Sequence, residues 1–455
     1  MADDFRPECE EIVTENAVQD KKPSFSELVA VFARIGCLSF GGPAGQIALM
    51  HRIVVEEKRW LKEDRYLHAL NYCMLLPGPE AQQLATYIGW LLHGARGGVA
   101  AGLLFVVPGL VVIIGLAAFY AALADTTWLE AVFTGLKAAV LAIVIQALWR
   151  MGRKSLKGPV SVAFAVIAFV ALFVFGVAFP LVVLAAGFGG YFLMRSSADP
   201  GAEDEEPAPA RQKKGLRAIA TIAVWTFVWL LPLGILALLG GAGTLSDIFG
   251  FFVKVALFSF GGAYAVLSYV AQEAVTTYHW LTPAEMLDGL ALAETTPGPL
   301  VLVLCFVGFL GAYAAPVFAA PLISGMIGAF LTAWAIFVPS FVFIFAGAPF
   351  IEDLRKNPAL SGAMAGIGAA IVGVIANLSF WFALHVMFDH VGRVELFALP
   401  PLVDAGPVWP VWSSLHVWSL LLSLLAAIAL FAFRIGVVPL LLGAGLAGLA
   451  IGSWL

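Results

Sequence analysis

The run VAFAVIAFVALFVFGVAFPLVVLAAGFGGYFLM at positions 162–194 contains no charged residue. About 20 consecutive apolar residues are enough to cross a bilayer as a helix, and this run exceeds that length. Other runs like it follow along a chain that is 61% hydrophobic and only 12% charged, too much apolar surface for a soluble core to hide. The short alternating segments of a membrane barrel are absent. The fold class expected is therefore an all-α polytopic membrane protein. The polar, acidic start, MADDFRPECEEIVTENAVQD, has neither a basic region nor an apolar core and does not read as a signal peptide. Cys9, Cys37, Cys73 and Cys305 show neither a disulfide framework nor metal spacing.

A duplication organises the chain. The motif Ser-Phe-Gly-Gly occurs in CLSFGGPAGQIAL (37–49) and again in LFSFGGAYAVLSY (257–269), and a shift of 220 carries Ser39 onto Ser259. The same shift carries Trp60-Leu61 onto Trp280-Leu281, the triplet PGP at 77–79 onto PGP at 297–299, Phe32 onto Phe252 and Glu27 onto Asp247. Beyond a short insertion the shift becomes 231, and GLKAAVLAIVIQ (135–146) meets GIGAAIVGVIAN (366–377). Later, Pro180 stands against Pro439. Two copies of one unit are expected, at 24–194 and 244–454, after a polar tail at 1–23. Between them lie a Pro- and acid-rich linker, 195–215, and one extra apolar helix, 216–240.

One additional crossing turns the second copy over, so the expected architecture is two inverted-topology repeats with PGP-broken helices, joined by one extra transmembrane helix. Charge agrees with this. The basic tract WRMGRKSLK (149–157) and Arg195, Arg211, Lys213, Lys214 and Arg217 belong on the cytoplasmic side. The basic loop 51–65 has a counterpart, 271–285, with no Lys or Arg. If segment 26–50 crossed in full from a cytoplasmic N-terminus, that basic loop would lie outside, so a broken or re-entrant first segment is expected.

The motifs that carry chemistry interrupt apolar runs at matched points. Proline removes a backbone donor and clashes with the preceding turn, and the residue before it leaves α geometry. Pro77-Gly78-Pro79 and Pro297-Gly298-Pro299 should therefore split their helices, with the second proline at the first position of the half-helix that follows. Irregular backbone survives in a bilayer only where it is buried or lines a watery cavity, and paired breaks point to a transporter's site. Ser39, Gly41 and Gly42, with Ser259, Gly261 and Gly262, offer close backbone approach, exposed amides and a hydroxyl donor to a ligand, or close helix packing.

Arg34 and Lys254 align five residues before each Ser-Phe-Gly-Gly motif. A cation at bilayer depth costs roughly 2.5–3.5 kcal/mol, so a repeated one suggests either an anionic substrate or snorkelling to headgroups. Glu80 follows the first PGP and Glu294 precedes the second. Glu80 at a helix start either complements the dipole or competes with an anion for that end, which would couple protons to transport. Gln82 and Gln83 are neutral donors nearby, and His51, His68 and His93 read as interfacial. No phosphate-binding GxxxxGK[ST] loop or soluble domain is present, so an ATP-driven pump has no visible engine, and neither an enzyme nor a cofactor is expected.

With twin apolar halves, FGG and PGP motifs and a Trp-Leu between them, nearly the whole chain outside the tail and linker resembles the chromate ion transporter family in its long, two-domain bacterial form. The resemblance implies a multi-pass protein of the bacterial inner membrane that exports chromate and confers resistance. It implies sulfate as the close analogue, no cofactor and no nucleic-acid partner, and it is compatible with a homodimer. The first copy reads Gly-Gly-Pro-Ala-Gly and the second Gly-Gly-Ala-Tyr-Ala, so the halves are not equivalent. The alternatives are a sulfate or related oxyanion permease, and a membrane assembly protein without transport.

Overall fold

A computed structural model describes residues 23–40, 42–74, 76–123, 126–194, 211–241, 243–260, 262–347, 358–393 and 406–454. Gly41, Gly261, the tail at 1–22 and the linker at 195–210 lie outside the described residues, as do the side chains of 211–217.

The first half opens with α1 (Phe25–Leu38), whose N-cap Ser24 accepts from the Glu27 amide at 3.1 Å. Its buried face, Leu28, Val31, Phe32 and Ile35, follows the helical period. The chain breaks at Ser39 and resumes as α2 (Gly42–His51), which widens into a π-helical turn, Arg52–Glu57. Segment 26–50 is thus broken. Next come α3 (Glu63–Cys73), the PGP break and α4 (Glu80–Leu123), which is interrupted at His93 and Gly94, where the latter has φ +61°. The half ends with α5 (Thr127–Ser155), α6 (Pro159–Phe173) and α7 (Phe179–Leu193), the last two with proline in the first turn, where its missing donor does no harm.

After the connecting helix α8 (Arg211–Leu238), the sequence of elements recurs. Helix α9 (Thr244–Phe258) breaks at Ser259, α10 (Ala263–Gln272) follows, and a π-helical turn again leaves it at Glu273–Thr277. Arg59 and His279, 220 positions apart, both sit at φ 52° after these turns. Then come α11 (Pro283–Thr295), capped by a Thr282–Glu285 capping box, and the second PGP break. Beyond it lie α12 (Val303–Ala314), α13 (Pro321–Gly347), α14 (Pro358–Met387), α15 (Val417–Phe431) and α16 (Val437–Gly452). A short antiparallel pair, β1 (Val391–Arg393) with β2 (Val408–Pro410), follows α14.

Among the described residues five helical stretches are long and apolar enough to span a membrane: α4, α5, 218–238 of α8, α13 and α14. The protein is an all-α, multi-pass membrane protein. Its halves do not pack as two separate bodies. Helices α15 and α16 of the second half lie on α5 of the first, and α6 and α7 of the first lie on α14 of the second. Glycine makes these seams possible. A Cβ on Gly135 would strike the Ala444 carbonyl of α16, and one on Gly190 would strike the Gly362 carbonyl of α14. The core between the halves holds fully buried Phe32, Phe105, Phe249, Phe252 and Phe306. Helix α8 is held against α13 by Trp229, whose Nε1 donates to the Ala335 carbonyl at 2.9 Å.

Candidate functional site

The helix breaks of the two halves interlock. The Gly78 amide donates to the Ser259 carbonyl at 2.8 Å, and the Gly298 amide donates to the Ser39 carbonyl at 2.8 Å. Each PGP of one half is therefore bonded to the Ser-Phe-Gly-Gly break of the other. The two glycines take φ +122° and +94°, conformations that L side chains avoid. Neighbouring amides brace the crossing: Gln46 Nε2 donates to the Gly298 carbonyl at 2.5 Å, and Gln83 Nε2 to the Pro77 carbonyl at 2.7 Å. Gln46, Gln82 and Gln83 each keep a buried side-chain oxygen with no hydrogen-bond partner among the described residues, and Ser340 does the same with its hydroxyl.

Two sequence expectations are corrected here. The serine hydroxyls are engaged within their own helices, Ser39 Oγ on the Ile35 carbonyl at 2.6 Å and Ser259 Oγ on the Ala256 carbonyl at 2.9 Å. It is the serine carbonyls that reach outward. The second proline of each triplet also stands one residue earlier than expected. Pro299 is extended (ψ 134°) immediately before the helical turn at Leu300, and Pro79 precedes Glu80, the first residue of α4.

Beside the crossing is an open cavity of about 620 Å³. The first residues after each Ser-Phe-Gly-Gly break line it, Pro43 and Ala44 at the start of α2 and Gly262 and Ala263 at the start of α10. Glu80, at the start of α4, lines it too. Three helix N-termini thus face one space. Each helix start carries roughly half a positive charge. Arg150 and Lys154, one turn apart near the C-terminal end of α5, add two formal cations to the wall. Lys154 Nζ lies 3.5 Å from the Met74 sulfur, over the end of α3 that leads into the first PGP. Tyr264 also lines the cavity, and its hydroxyl donates to Glu294 Oε1 at 2.7 Å. Glu294 is buried directly behind it. His51 and Glu56 line it as well, with His51 Nδ1 3.2 Å from Glu56 Oε1.

Helix dipoles and side-chain cations around an open cavity suit a small anion, and the carboxylates of Glu56, Glu80 and, behind Tyr264, Glu294 would limit how much negative charge it could hold. The equivalent place in the second half is different. It is bounded by Ser268, Thr276, Asn377 and Trp381, encloses about 100 Å³ and has no charged lining residue. Trp381 occupies the position that corresponds to Arg150.

Of the residues expected from sequence, Gly262 and Glu80 line the cavity, Glu294 lies behind it, Gly42 directly precedes the lining Pro43, and Ser39, Ser259 and the two PGP triplets form the crossing beside it. Arg34 and Lys254 are not brought there. Both are exposed on the sides of α1 and α9 that face away from the buried stripes, and neither is among the residues lining the cavity. Arg150 and Lys154, which do line it, read in the sequence only as part of a cytoplasmic basic tract. Their spacing of four on an apolar helix was the signal for a shared cationic face.

Comparison with known proteins agrees with this organisation. The family model described as Chromate transporter matches residues 26–191 and 246–449. A "Chromate transport protein" of Cupriavidus metallidurans is 30% identical over 369 residues, covering 80% of this chain and 84% of the relative. Another, of Pseudomonas aeruginosa, is 31% identical over 376 residues, covering 82% of this chain and 84% of the relative. An "Uncharacterized transporter" of Bacillus subtilis, YwrB, is 30% identical over 156 residues, which are 33% of this chain but 79% of the relative. No solved structure matches the chain. With the family model spanning both halves and full-length relatives at this identity, the chain belongs to the chromate transporter family.

Proposed function

We propose that this protein is a secondary transporter that carries chromate out of the cytoplasm across the bacterial inner membrane, and that it thereby confers chromate resistance. One observation carries the reading: the starts of α2, α4 and α10 meet Arg150 and Lys154 around a single open cavity. The names of the full-length relatives supply the substrate. Chromate is a compact oxyanion that is largely doubly charged at neutral pH. Amide donors at helix starts and two flexible cations suit such a ligand, which has no apolar surface to recognise.

In this reading the Ser-Phe-Gly-Gly and PGP segments serve the anion through their backbone. Their bonds to one another fix where α2, α4 and α10 begin, and Gly42 and Gly262 let the chain approach the ligand closely. Glu80 shares the cavity with the anion and opposes it when ionised. Protonation of Glu80, or of Glu294 behind Tyr264, makes room for negative charge and links proton binding to anion binding. The two repeats are inverted relative to one another, because the connecting helix α8 adds one crossing between them. The basic end of α5 then lies on the cytoplasmic side, and the cavity opens to the compartment from which chromate is taken.

Direction follows from electrostatics. A membrane potential negative inside pushes anions outward by about 2.3 kcal/mol per charge per 100 mV, or roughly 4.6 kcal/mol for a dianion. That sustains a gradient of more than about a thousandfold without ATP. Sulfate uptake through the same site would have to work against this force. The test is chromate accumulation in cells with and without the protein. Lower accumulation in expressing cells supports export, and higher accumulation overturns it in favour of a permease.

A further inference from the structure

A second ionisable cluster lies inside the protein, away from the cavity. Asp288 of α11 is buried, accepts from the Tyr120 hydroxyl of α4 at 2.9 Å and faces Lys137 Nζ of α5 at 3.4 Å. Lys137 is itself largely covered, its side chain 18% exposed. Phe133 and Phe306 pack edge-on against the Tyr120 ring at 5.4 and 5.3 Å and close the apolar box. On α11 itself, Glu285 is committed to the Thr282 cap, and Glu294 to Tyr264. The other helices packed on α11, namely α12, α14 and α16, contain no Asp, Glu, Lys or Arg.

Such a pair is a poor device for stability. Taking two charges out of water is costly, and well-packed apolar residues in their place are often as stable or more so. The duplication adds an internal control. The position equivalent to Asp288 is His68, and the position equivalent to Lys137 is Gly368. The pair is therefore particular to the contact of α11 with α5 and is not written at the matched positions of α3 and α14. An ionisable residue within the membrane is otherwise a mark of function, most often a relay for protons or ions.

Its location gives it leverage. Lys137 and Arg150 stand on the same helix, about 20 Å apart at 1.5 Å per residue. Lys137 ties that helix to α11 of the other half, and α11 runs on into the second PGP break. We propose that the Lys137–Asp288–Tyr120 cluster is a proton-binding site whose occupancy controls the hold of α11 on α5, and so couples proton movement to oxyanion transport. The proposal rests on the transport reading above. A proton arriving from outside converts the Asp288 carboxylate to the neutral acid, and Lys137 loses its counter-charge. The α5–α11 tie loosens, and α5 moves with the two cations of the cavity. Loss of the same proton to the cytoplasmic side restores the pair, which gives exchange of protons inward for oxyanion outward. Tyr120 positions the carboxylate in both states.

The experiment uses the full-length protein in proteoliposomes at clamped membrane potential, with radiolabelled chromate as the probe. Two rates are read: chromate–chromate exchange at equal pH, and chromate efflux with and without an opposing proton gradient. The variants are Asp288→Asn and the double variant Lys137→Met/Asp288→Leu, which removes both charges and keeps the bulk. In the wild type the gradient should speed efflux at least fivefold. In both variants exchange should stay within about threefold of wild type while the acceleration by the gradient disappears. Gradient acceleration that persists in Asp288→Asn, or its absence from the wild type, overturns the proposal alone. So does loss of exchange in the double variant, which would make the cluster a structural brace. A wild type that exchanges no chromate at all removes the transport reading and this proposal with it.

Discussion

The Gly78 amide donates to the Ser259 carbonyl at 2.8 Å, joining a helix break of one half to a helix break of the other, and Gly298 does the same to Ser39. The reciprocal pair explains why both motifs are written twice. Each break leaves backbone groups without helical partners, and in a bilayer such groups must be satisfied internally. The two motifs satisfy one another, and the helix starts that face the cavity are fixed as a result.

Alanine at either glycine tests this. Left-handed or more extreme φ costs a non-glycine residue about 1–3 kcal/mol. At Gly78 the new Cβ would also lie 2.6 Å from Gln83 Nε2, and at Gly298 it would lie 3.0 Å from Leu302 Cδ1. Gly78→Ala and Gly298→Ala should each lower the unfolding temperature in detergent by several degrees and abolish most transport. Unchanged melting and full transport in both would mean that the crossing tolerates ordinary backbone.

The seams between the halves give a second prediction. Gly135 lets α16 approach α5 until backbone meets backbone, and Gly448 does so from the opposite side. Gly135→Leu should force the two helices apart. Because membrane helix association depends on such close packing, little folded protein should survive extraction in mild detergent. Gly115, which has open space around the position of a Cβ, is the control, and Gly115→Leu should behave as wild type.

The cations separate two readings of the site. Charge-assisted hydrogen bonds contribute about 1.5–3 kcal/mol, so losing one should weaken oxyanion binding about tenfold to a hundredfold. Arg150→Gln and Lys154→Gln should each show that loss in titrations of purified protein. Arg34→Gln and Lys254→Gln, on exposed faces of α1 and α9, should bind within about threefold of wild type. The reverse pattern would move the site from the cavity to the outer faces of those helices.

Glu80 allows a pH test. Sulfate is the useful probe because it remains a dianion across the accessible range. Wild-type binding should strengthen as pH falls through the titration of Glu80, since protonation removes a negative charge from the cavity. Glu80→Gln should bind more tightly at neutral pH and lose that part of the pH dependence. A variant with the wild-type profile would leave Glu80 as a helix-start residue only.

Much of the scaffold was legible before the structure, and the reasons are physical. A bilayer demands long apolar runs, so the membrane class follows from stretches such as 162–194. Proline and glycine act locally, so the breaks at 77–79 and 297–299 could be read from the residues themselves. The bonds from Gly78 to Ser259 and from Gly298 to Ser39 could not, because they join segments far apart in the chain. Arg34 and Lys254 drew attention by being repeated. Yet the stripe Leu28, Val31, Phe32 and Ile35 already fixes the buried face of α1, and Arg34 lies off it. Arg150 and Lys154 were masked by their reading as a basic helix end, which bears on orientation whether or not it also binds a ligand. The Asp288–Lys137 pair could not be read from sequence either, because its members come from opposite halves.

The most direct test of the central claim is chromate flux in proteoliposomes that contain either the wild-type protein or the Arg150→Gln/Lys154→Gln double variant. Under a potential negative on the chromate-loaded side, the wild type should give saturable chromate efflux that sulfate inhibits. The double variant, reconstituted in equal amount, should lose at least nine-tenths of that flux. Flux in the double variant equal to wild type would show that the oxyanion does not pass through this cavity.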